Sequence, residues 1–359
     1  MIYLDANATE PLRPQARDAV LAALDVVGNP SSIHAAGRAA RKMLESARHI
    51  LAERFDARAE NVIFTSGGTE ANVLAVHGLA AERLVLVGAT EHDAVRLAPK
   101  TPHALPIPVL IGGQVDLAAL ACMLNELRPT LVCLMLANNE TGILHPIAEA
   151  AALCHAHHSL LHVDAVQAAG RLEFTLGQLG ADSLAISAHK LGGPKGAGAL
   201  ILAADTPPIE AHMRGGGQER GRRGGTPALP AIAGFVAAVQ VSGTGPQITR
   251  LRDRAEVAAI SAGATVCGVG DRLPNTTCLA YPGRRADTQV IALDLAGIAV
   301  SAGAACSSGK MARSHVLDAM GLDDLAGCAI RVSLPWNVTG ADIDEFIRAY
   351  AATVRMEAA

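Results

Sequence analysis

Six short apolar runs, at 62–65, 84–87, 131–136, 161–164, 183–187 and 198–203, recur along this chain, and most are separated by stretches of helical periodicity such as 69–80, 116–127 and 147–157. Runs this short, apolar at successive positions rather than alternating, suit strands buried on both faces. Interleaved with helices, they predict α/β layering with a mostly parallel sheet covered by helices. Such sheets bind ligands beyond the carboxyl ends of their strands, so the residues that follow each run are where chemistry is expected. Only 3% of residues are aromatic although half are hydrophobic, so the core is aliphatic, and 35 glycines supply many tight turns.

At 359 residues the chain exceeds one typical domain. Between 35 and 54 a helical face is expected to carry Ala36, Ala40, Met43, Ala47 and Ile50. Helices near 228–241 and 247–260 lead into a smaller C-terminal α/β domain, with strands at 276–281, 298–301 and 329–334 and a helix at 341–354. The expected division is an N-terminal segment (1–15) packing near the active site, a large domain (16–245) and a small domain (246–359) that carries the loop around Cys306. The amphipathic pattern after residue 340 is read as core packing. There is no long linker, charge block or repeat. The glycine-arginine stretch from Arg214 to Thr226 reads either as a mobile basic loop or as part of a site.

A formal net charge of −4 and a pI near 6.3 give no sign of a nucleic-acid or membrane surface. No apolar run has transmembrane length and Met1-Ile-Tyr-Leu-Asp5 lacks a basic leader, so a soluble, cytoplasmic chain is expected. The seven cysteines are odd in number and contain no Cys-x-x-Cys, which argues against a disulfide framework or a zinc knuckle. Cys122, Cys133 and Cys154 are expected to pack as small hydrophobes, whereas Cys267, Cys278 and Cys328 have no distinctive setting. Cys306 sits in Gly303-Ala-Ala-Cys-Ser-Ser-Gly309, an open context that suits either a reactive thiol or an inert loop thiol.

Three strand ends carry cofactor-shaped chemistry. Ser187-Ala-His189-Lys190 follows one run; a lysine there is either a surface residue or an amine able to form a Schiff base with an aldehyde cofactor. Asp164, ending another run, suits the ring nitrogen of pyridoxal phosphate, and Gln167 the ring hydroxyl. Thr65-Ser-Gly-Gly68-Thr69 reads as strand, glycine turn and helix start, where free N–H groups favour an anion such as a phosphate, or as an ordinary helix cap. Together the three features favour the cofactor.

On these and further residues the sequence resembles the cysteine desulfurases, class V aminotransferases within the fold-type I pyridoxal-phosphate enzymes, a resemblance that implies a mostly parallel sheet of the seven-stranded type in the large domain. The resemblance is carried by Tyr3-Leu-Asp-Ala-Asn-Ala-Thr9, Gly28-Asn-Pro-Ser-Ser32 with His34, Thr65-Ser-Gly-Gly-Thr-Glu70, Glu91-His92, Ala137-Asn-Asn-Glu140, His162-Val-Asp-Ala-Val-Gln167 and Ser187-Ala-His-Lys190. It continues through Gly215-Gly-Gly-Gln-Glu219, Arg223-Gly-Gly-Thr226, Ser301 to Gly309, Ser314-His-Val-Leu317 and Arg331-Val-Ser333. It implies conversion of L-cysteine to L-alanine, with Lys190 holding pyridoxal 5'-phosphate, His92 stacking on its ring and relaying protons, and Asp164 and Gln167 at ring atoms. Gly68, Thr69, Ser187 and His189 would hold the phosphate, joined by Thr226 from the other subunit of an obligate homodimer. Arg331, with Asn139, would bind the substrate carboxylate, and Cys306 would take the sulfur as a persulfide for an iron–sulfur scaffold or another sulfur-acceptor protein.

Two departures stand out. Ala6-Asn7 replaces the Asn-Ala of many members, so one polar contact near the substrate is expected to be absent or moved, and Pro227-Ala-Leu-Pro230 replaces a segment that often begins Glu-Asn. The alternatives are a selenocysteine lyase or another pyridoxal-phosphate enzyme of the same fold and, more remotely, a non-catalytic sulfur-transfer assembly partner.

Overall fold

The computed structural model describes residues 1–81, 83–99, 104–127, 130–303 and 313–356. Its main sheet has seven strands in the spatial order Val62–Thr65, Gly198–Leu202, Ser183–Ser187, Leu160–Asp164, Thr130–Met135, Leu84–Gly88, Leu105–Ile107. Gly198–Leu202 runs antiparallel to both neighbours and the remaining pairs are parallel. All strands but this one therefore end at the same edge of the sheet.

Both faces are covered, which is why the runs are apolar at successive positions. Val132, Leu134, Leu184 and Ile186 pack into one core with Leu44, Leu51 and Phe235, while their neighbours Leu131, Cys133 and Ala185 join Leu74, Val76 and Leu79 in the core on the opposite face. Pro106 sits in the last strand, at the sheet's edge, where its missing N–H removes no ladder bond from an inner strand.

A separate four-stranded antiparallel sheet, ordered Ser301–Ala302, Ala329–Ser333, Thr276–Ala280, Thr265–Val266, packs with the helices Pro246–Ser261, Ala286–Leu295 and Gly340–Met356. Its core includes Leu251, Leu279, Leu293, Ile330 and Phe346. Ile343, Phe346 and Tyr350 are buried, so the amphipathic helix after residue 340 is a packing element. Among the described residues no helix is long and apolar enough to cross a membrane.

The N-terminal segment ties the two cores together. Ile2–Tyr3 pairs with Ile298–Ala299 and Leu4 lies in the C-terminal core. A few residues on, the Glu10 and Arg13 amides donate to the carbonyls of His189 and Gly192, 2.8 and 2.9 Å away beyond the main sheet.

Some expectations need correction. The buried face of helix Ala35–Phe55 centres on Ala40, Leu44, Ala47, Leu51 and Phe55, with Ala36, Met43 and Ile50 at its margin, because the larger Leu and Phe side chains take the core side. Cys122 is exposed, since helix Leu117–Glu126 turns Leu120 and Leu124 inward and leaves residue 122 on the other side; Cys133 and Cys154 are buried as expected. The run at 298–301 divides, Ile298–Ala299 pairing with the N-terminus and Ser301–Ala302 with Ala329–Ser333.

The glycine-arginine stretch is anchored to the main sheet. The buried Glu219 accepts two hydrogen bonds from the buried Arg48, at 2.7 and 2.9 Å, and one from the Phe64 amide at 3.0 Å. Glu219 and Arg220 sit at φ 47° and 59°, a strained region for non-glycine residues that this anchoring sustains. Glu219→Ala would leave the Phe64 amide buried without its acceptor and strip the buried Arg48 of its bidentate partner, leaving it the Val62 carbonyl and the more exposed Glu45. Urea titration should then show a loss of about 3–5 kcal/mol, and Glu219→Gln, which still accepts from Phe64, should lose less.

Candidate active site

At the common edge of the main sheet lies a cavity of about 250 Å³, bordered by Gly68, Thr69, His92, Asn139, Asp164, Gln167, Ser187, His189 and Lys190. Nine of the residues singled out from sequence thus meet in one place. They arrive from five strand ends and the segments that follow them: Gly68 opens helix Gly68–Ala80 and Thr69 follows it, His92 caps Asp93–Arg96, Asn139 follows Thr130–Met135, Asp164 ends its strand with Gln167 just beyond, and Lys190 closes a 3₁₀ turn after Ser187 and His189.

Lys190 Nζ donates to the backbone carbonyls of Asn7 and, at 3.1 Å, Ala8. Burial, followed by the nearby Arg331 and Arg171, lowers its pKa to about 7, while Asp164 and Asp5 oppose the shift. The amine is therefore substantially neutral near physiological pH, the state a nucleophile needs.

Asp164 lies opposite in charge. Its Oδ1 accepts from the Val166 amide at 2.9 Å and its Oδ2 from Asn72 Nδ2 at 2.7 Å. Burial pushes its pKa up, while these two bonds, His92 and Lys190 pull it back. A cationic ring nitrogen placed there would have an anionic partner with its orientation already fixed.

The phosphate side is also legible. A Cβ at Gly68 would come within 2.6 Å of the Val166 side chain, so only glycine lets the helix start approach the cavity this closely. Ser187 Oγ is buried without a hydrogen-bond partner at the cavity wall. His189, bonded through Nδ1 to Thr9 Oγ1 at 3.2 Å, is pushed down to about 4 by burial and by Lys190, Lys195 and Arg171, which keeps it neutral. An orphaned hydroxyl, a glycine cradle and a helix N-terminus together fit a phosphate. Among the described residues no cluster of His, Cys, Asp and Glu could hold a metal ion.

Arg331 stands beside the cavity, buried, with Nη1 donating to the Asn139 carbonyl at 3.0 Å and Nη2 paired with Asp5 at 2.7 Å. Gln167 donates from Nε2 to the Asn7 carbonyl at 3.0 Å, and its Oε1 accepts from Arg171. Thr226 is not in this cavity; exposed, it borders a separate one with Ser66, Gly196, Glu219 and Arg223. Cys306 lies outside the described residues.

Several site residues had no role in the sequence reading. Asn7, noted only as a departure, is buried and donates from Nδ2 to Thr276 Oγ1 at 2.9 Å and to the Asn139 carbonyl at 3.1 Å. Ala6 contributes backbone groups alone, its amide bonding to the Ser333 carbonyl at 3.0 Å. His162 opens the His162–Gln167 motif and Asn72 lies two residues past the Thr65–Glu70 motif; their spacing was the available signal, one helical turn after Gly68 and two strand residues before Asp164.

Residues 2–346 match the family model described as Aminotransferase class-V. A "Cysteine desulfurase" of Cereibacter sphaeroides is 41% identical over 366 aligned residues, covering 96% of this chain and 94% of that protein. An "IscS-like cysteine desulfurase" of Mycobacterium tuberculosis is 36% identical, with 96% and 94% covered. The crystal structure of a NifS-like protein from Rickettsia africae superposes with a TM-score of 0.90 at 33% identity, covering 98% of this chain and 99% of that one. With the family model spanning nearly all its length, this chain belongs to the class-V aminotransferases, a family of pyridoxal-phosphate-dependent enzymes.

Proposed function

We propose that this protein is a cysteine desulfurase that binds pyridoxal 5'-phosphate in the cavity at Lys190 and moves the sulfur of L-cysteine to Cys306. The observation that carries the reading is a desolvated lysine amine sharing one cavity with a buried, hydrogen-bonded carboxylate and a cradle of anion-binding groups. Nearly full-length similarity to proteins named cysteine desulfurase supports the choice of reaction.

When bound, the cofactor supplies an electron sink that stabilises negative charge at the substrate Cα. Lys190 would hold it through the amine, and Gly68, Thr69, Ser187 and His189 would bind its phosphate, with Thr226 of a second copy completing the set. Asp164 would keep the ring nitrogen protonated. Gln167 has one amide hydrogen engaged by the Asn7 carbonyl, and the other is assigned to the ring hydroxyl. His92 accepts from the Ala94 amide through Nδ1 at 3.0 Å, so a neutral ring carries its proton on Nε2, the atom assigned to ring contact and proton relay.

Arg331 would bind the substrate carboxylate with Asn139, its guanidinium held by Asp5. The Cys306 thiolate would attack the substrate sulfur: an S–S bond forms, the Cβ–S bond breaks, and the carbon takes a proton to become the methyl of L-alanine. The persulfide then awaits an iron–sulfur scaffold or another sulfur-acceptor protein. In this reading residues 16–245 act as the cofactor domain, 246–359 as the domain carrying Cys306, and 1–15 as a segment packed at the site, in a cytoplasmic homodimer.

The reaction is tested by measuring L-alanine and sulfide released from L-cysteine with a reductant. Wild type should turn over, while Cys306→Ala keeps the yellow cofactor band but loses activity by at least about 100-fold. Turnover that survives in Cys306→Ala would point instead to lyase chemistry.

The depressed lysine pKa gives a second prediction, for the protein without cofactor. Lys190 titrates near 7 when folded but at its ordinary 10.5 when unfolded. Between these values the unfolded chain holds the extra proton, so this group makes stability rise with pH across the window. Lys190→Met has no such contribution. Its melting temperature relative to wild type should be highest at about pH 7 and fall progressively towards about pH 10; a difference that does not vary with pH would contradict the lysine's desolvation.

A further inference from the structure

From Asn72, at the cavity wall beside Asp164, a chain of buried polar side chains runs inward that the proposed reaction does not use. His162 is two residues before Asp164 on the same strand, and Ser183 is its register partner on the next strand. His162 Nδ1 lies 2.8 Å from Ser183 Oγ and its Nε2 lies 2.9 Å from Asn72 Oδ1, while Asn72 Nδ2 donates to Asp164 Oδ2 at 2.7 Å. His162 and Ser183 are fully buried and Asn72 is 1% exposed. Polar groups this deep are costly unless each has a partner, and here each does.

The direction of these bonds follows from the charge at one end. A carboxylate only accepts, so Asn72 must turn its amide hydrogens to Asp164 and its Oδ1 to His162. That oxygen only accepts, so His162 carries its proton on Nε2, and the bare Nδ1 takes the Ser183 hydroxyl proton. Burial drives the His162 pKa down to about 3, in keeping with a neutral ring. A protonated Asp164 would have no need of this direction.

Asn72 also stands one turn along the helix whose first residues form the phosphate cradle, so Gly68 and Asn72 share a face. The same helix thereby meets both ends of the cofactor site.

We infer that Asn72, His162 and Ser183 are positioning residues, which hold Asp164 anionic and aimed at the ring nitrogen of the pyridoxal cofactor through a hydrogen-bond chain of fixed direction. The inference rests on the cofactor reading given above. It adds a reason for a histidine and an asparagine in places where an apolar pair would otherwise serve the core.

The test compares purified wild type, Asn72→Leu, His162→Leu, His162→Gln and Ser183→Ala, each stripped of cofactor and titrated with pyridoxal 5'-phosphate. Asn72→Leu and His162→Leu should weaken cofactor binding about tenfold or more. They should also move the visible absorption band of the loaded protein in the direction that Asp164→Asn moves it. Ser183→Ala should show a smaller change of the same sign. His162→Gln, whose amide can both donate to Asn72 and accept from Ser183, should restore affinity and band towards wild type; a loss of packing alone would not produce that split between Gln and Leu. Melting of the cofactor-free variants identifies any that fail to fold, and if the leucine variants do, Ser183→Ala decides the matter by whether its band moves as that of Asp164→Asn does. Folded leucine variants with wild-type affinity and band, or in their place a Ser183→Ala with both unchanged, would overturn the inference while leaving the cofactor reading intact. A wild type that takes up no pyridoxal 5'-phosphate would overturn both.

Discussion

The site depends on keeping an amine and a carboxylate, both desolvated by burial, in one cavity without letting them collapse into a simple ion pair. Lys190 is lowered and Asp164 raised mainly by burial, and each partly offsets the other's shift. Separate hydrogen-bond partners hold them apart: the Asn7 and Ala8 carbonyls take the lysine, whereas the Val166 amide and Asn72 take the carboxylate. Water would screen both charges and remove the shifts, so the apolar packing on either side of the sheet is part of the chemistry.

The N-terminal segment braces this arrangement. Its first residues belong to the C-terminal core by pairing with Ile298–Ala299, yet Asp5 grips Arg331, and Asn7 touches Lys190, Gln167, Asn139 and Thr276. Residues from the main sheet and from the smaller sheet are thus referenced to one short stretch of backbone. The proposed carboxylate-binding arginine and the proposed cofactor lysine share that reference, so a shift of the small sheet relative to the large one would disturb both. Arg331 itself lowers the lysine pKa, so the charge state of the amine depends on the arginine beside it.

The layered architecture was readable because burial on both faces leaves uninterrupted apolar runs such as Leu131 to Leu136, and period-two alternation is absent. Seven of the nine cavity residues were readable for a related reason, since chemistry-bearing side chains placed just after such runs must converge at one edge; His92 and Asn139 came from the family resemblance. Short elements held by tertiary contact, including Ile2–Tyr3, Leu105–Ile107 and Thr265–Val266, carried too little local pattern to be found. Helix Pro14–Leu24 buries only Ala16 and Ala23, so it presents no strong apolar face. Asn7 read as a departure because its partners, Thr276 and Asn139, are distant in sequence. His162 and Asn72 were visible as letters but silent in role, since their meaning lies in a chain of contacts across three elements.

The central claim is that Lys190 is the amine that receives the cofactor. Reduction of the pyridoxal-5'-phosphate-loaded protein with borohydride, followed by proteolysis and mass spectrometry, tests it directly. The account predicts a pyridoxyl group on the peptide containing Lys190 and on no other. Label on Lys42 or Lys195 instead, or no stable label in a protein that binds the cofactor, would contradict it.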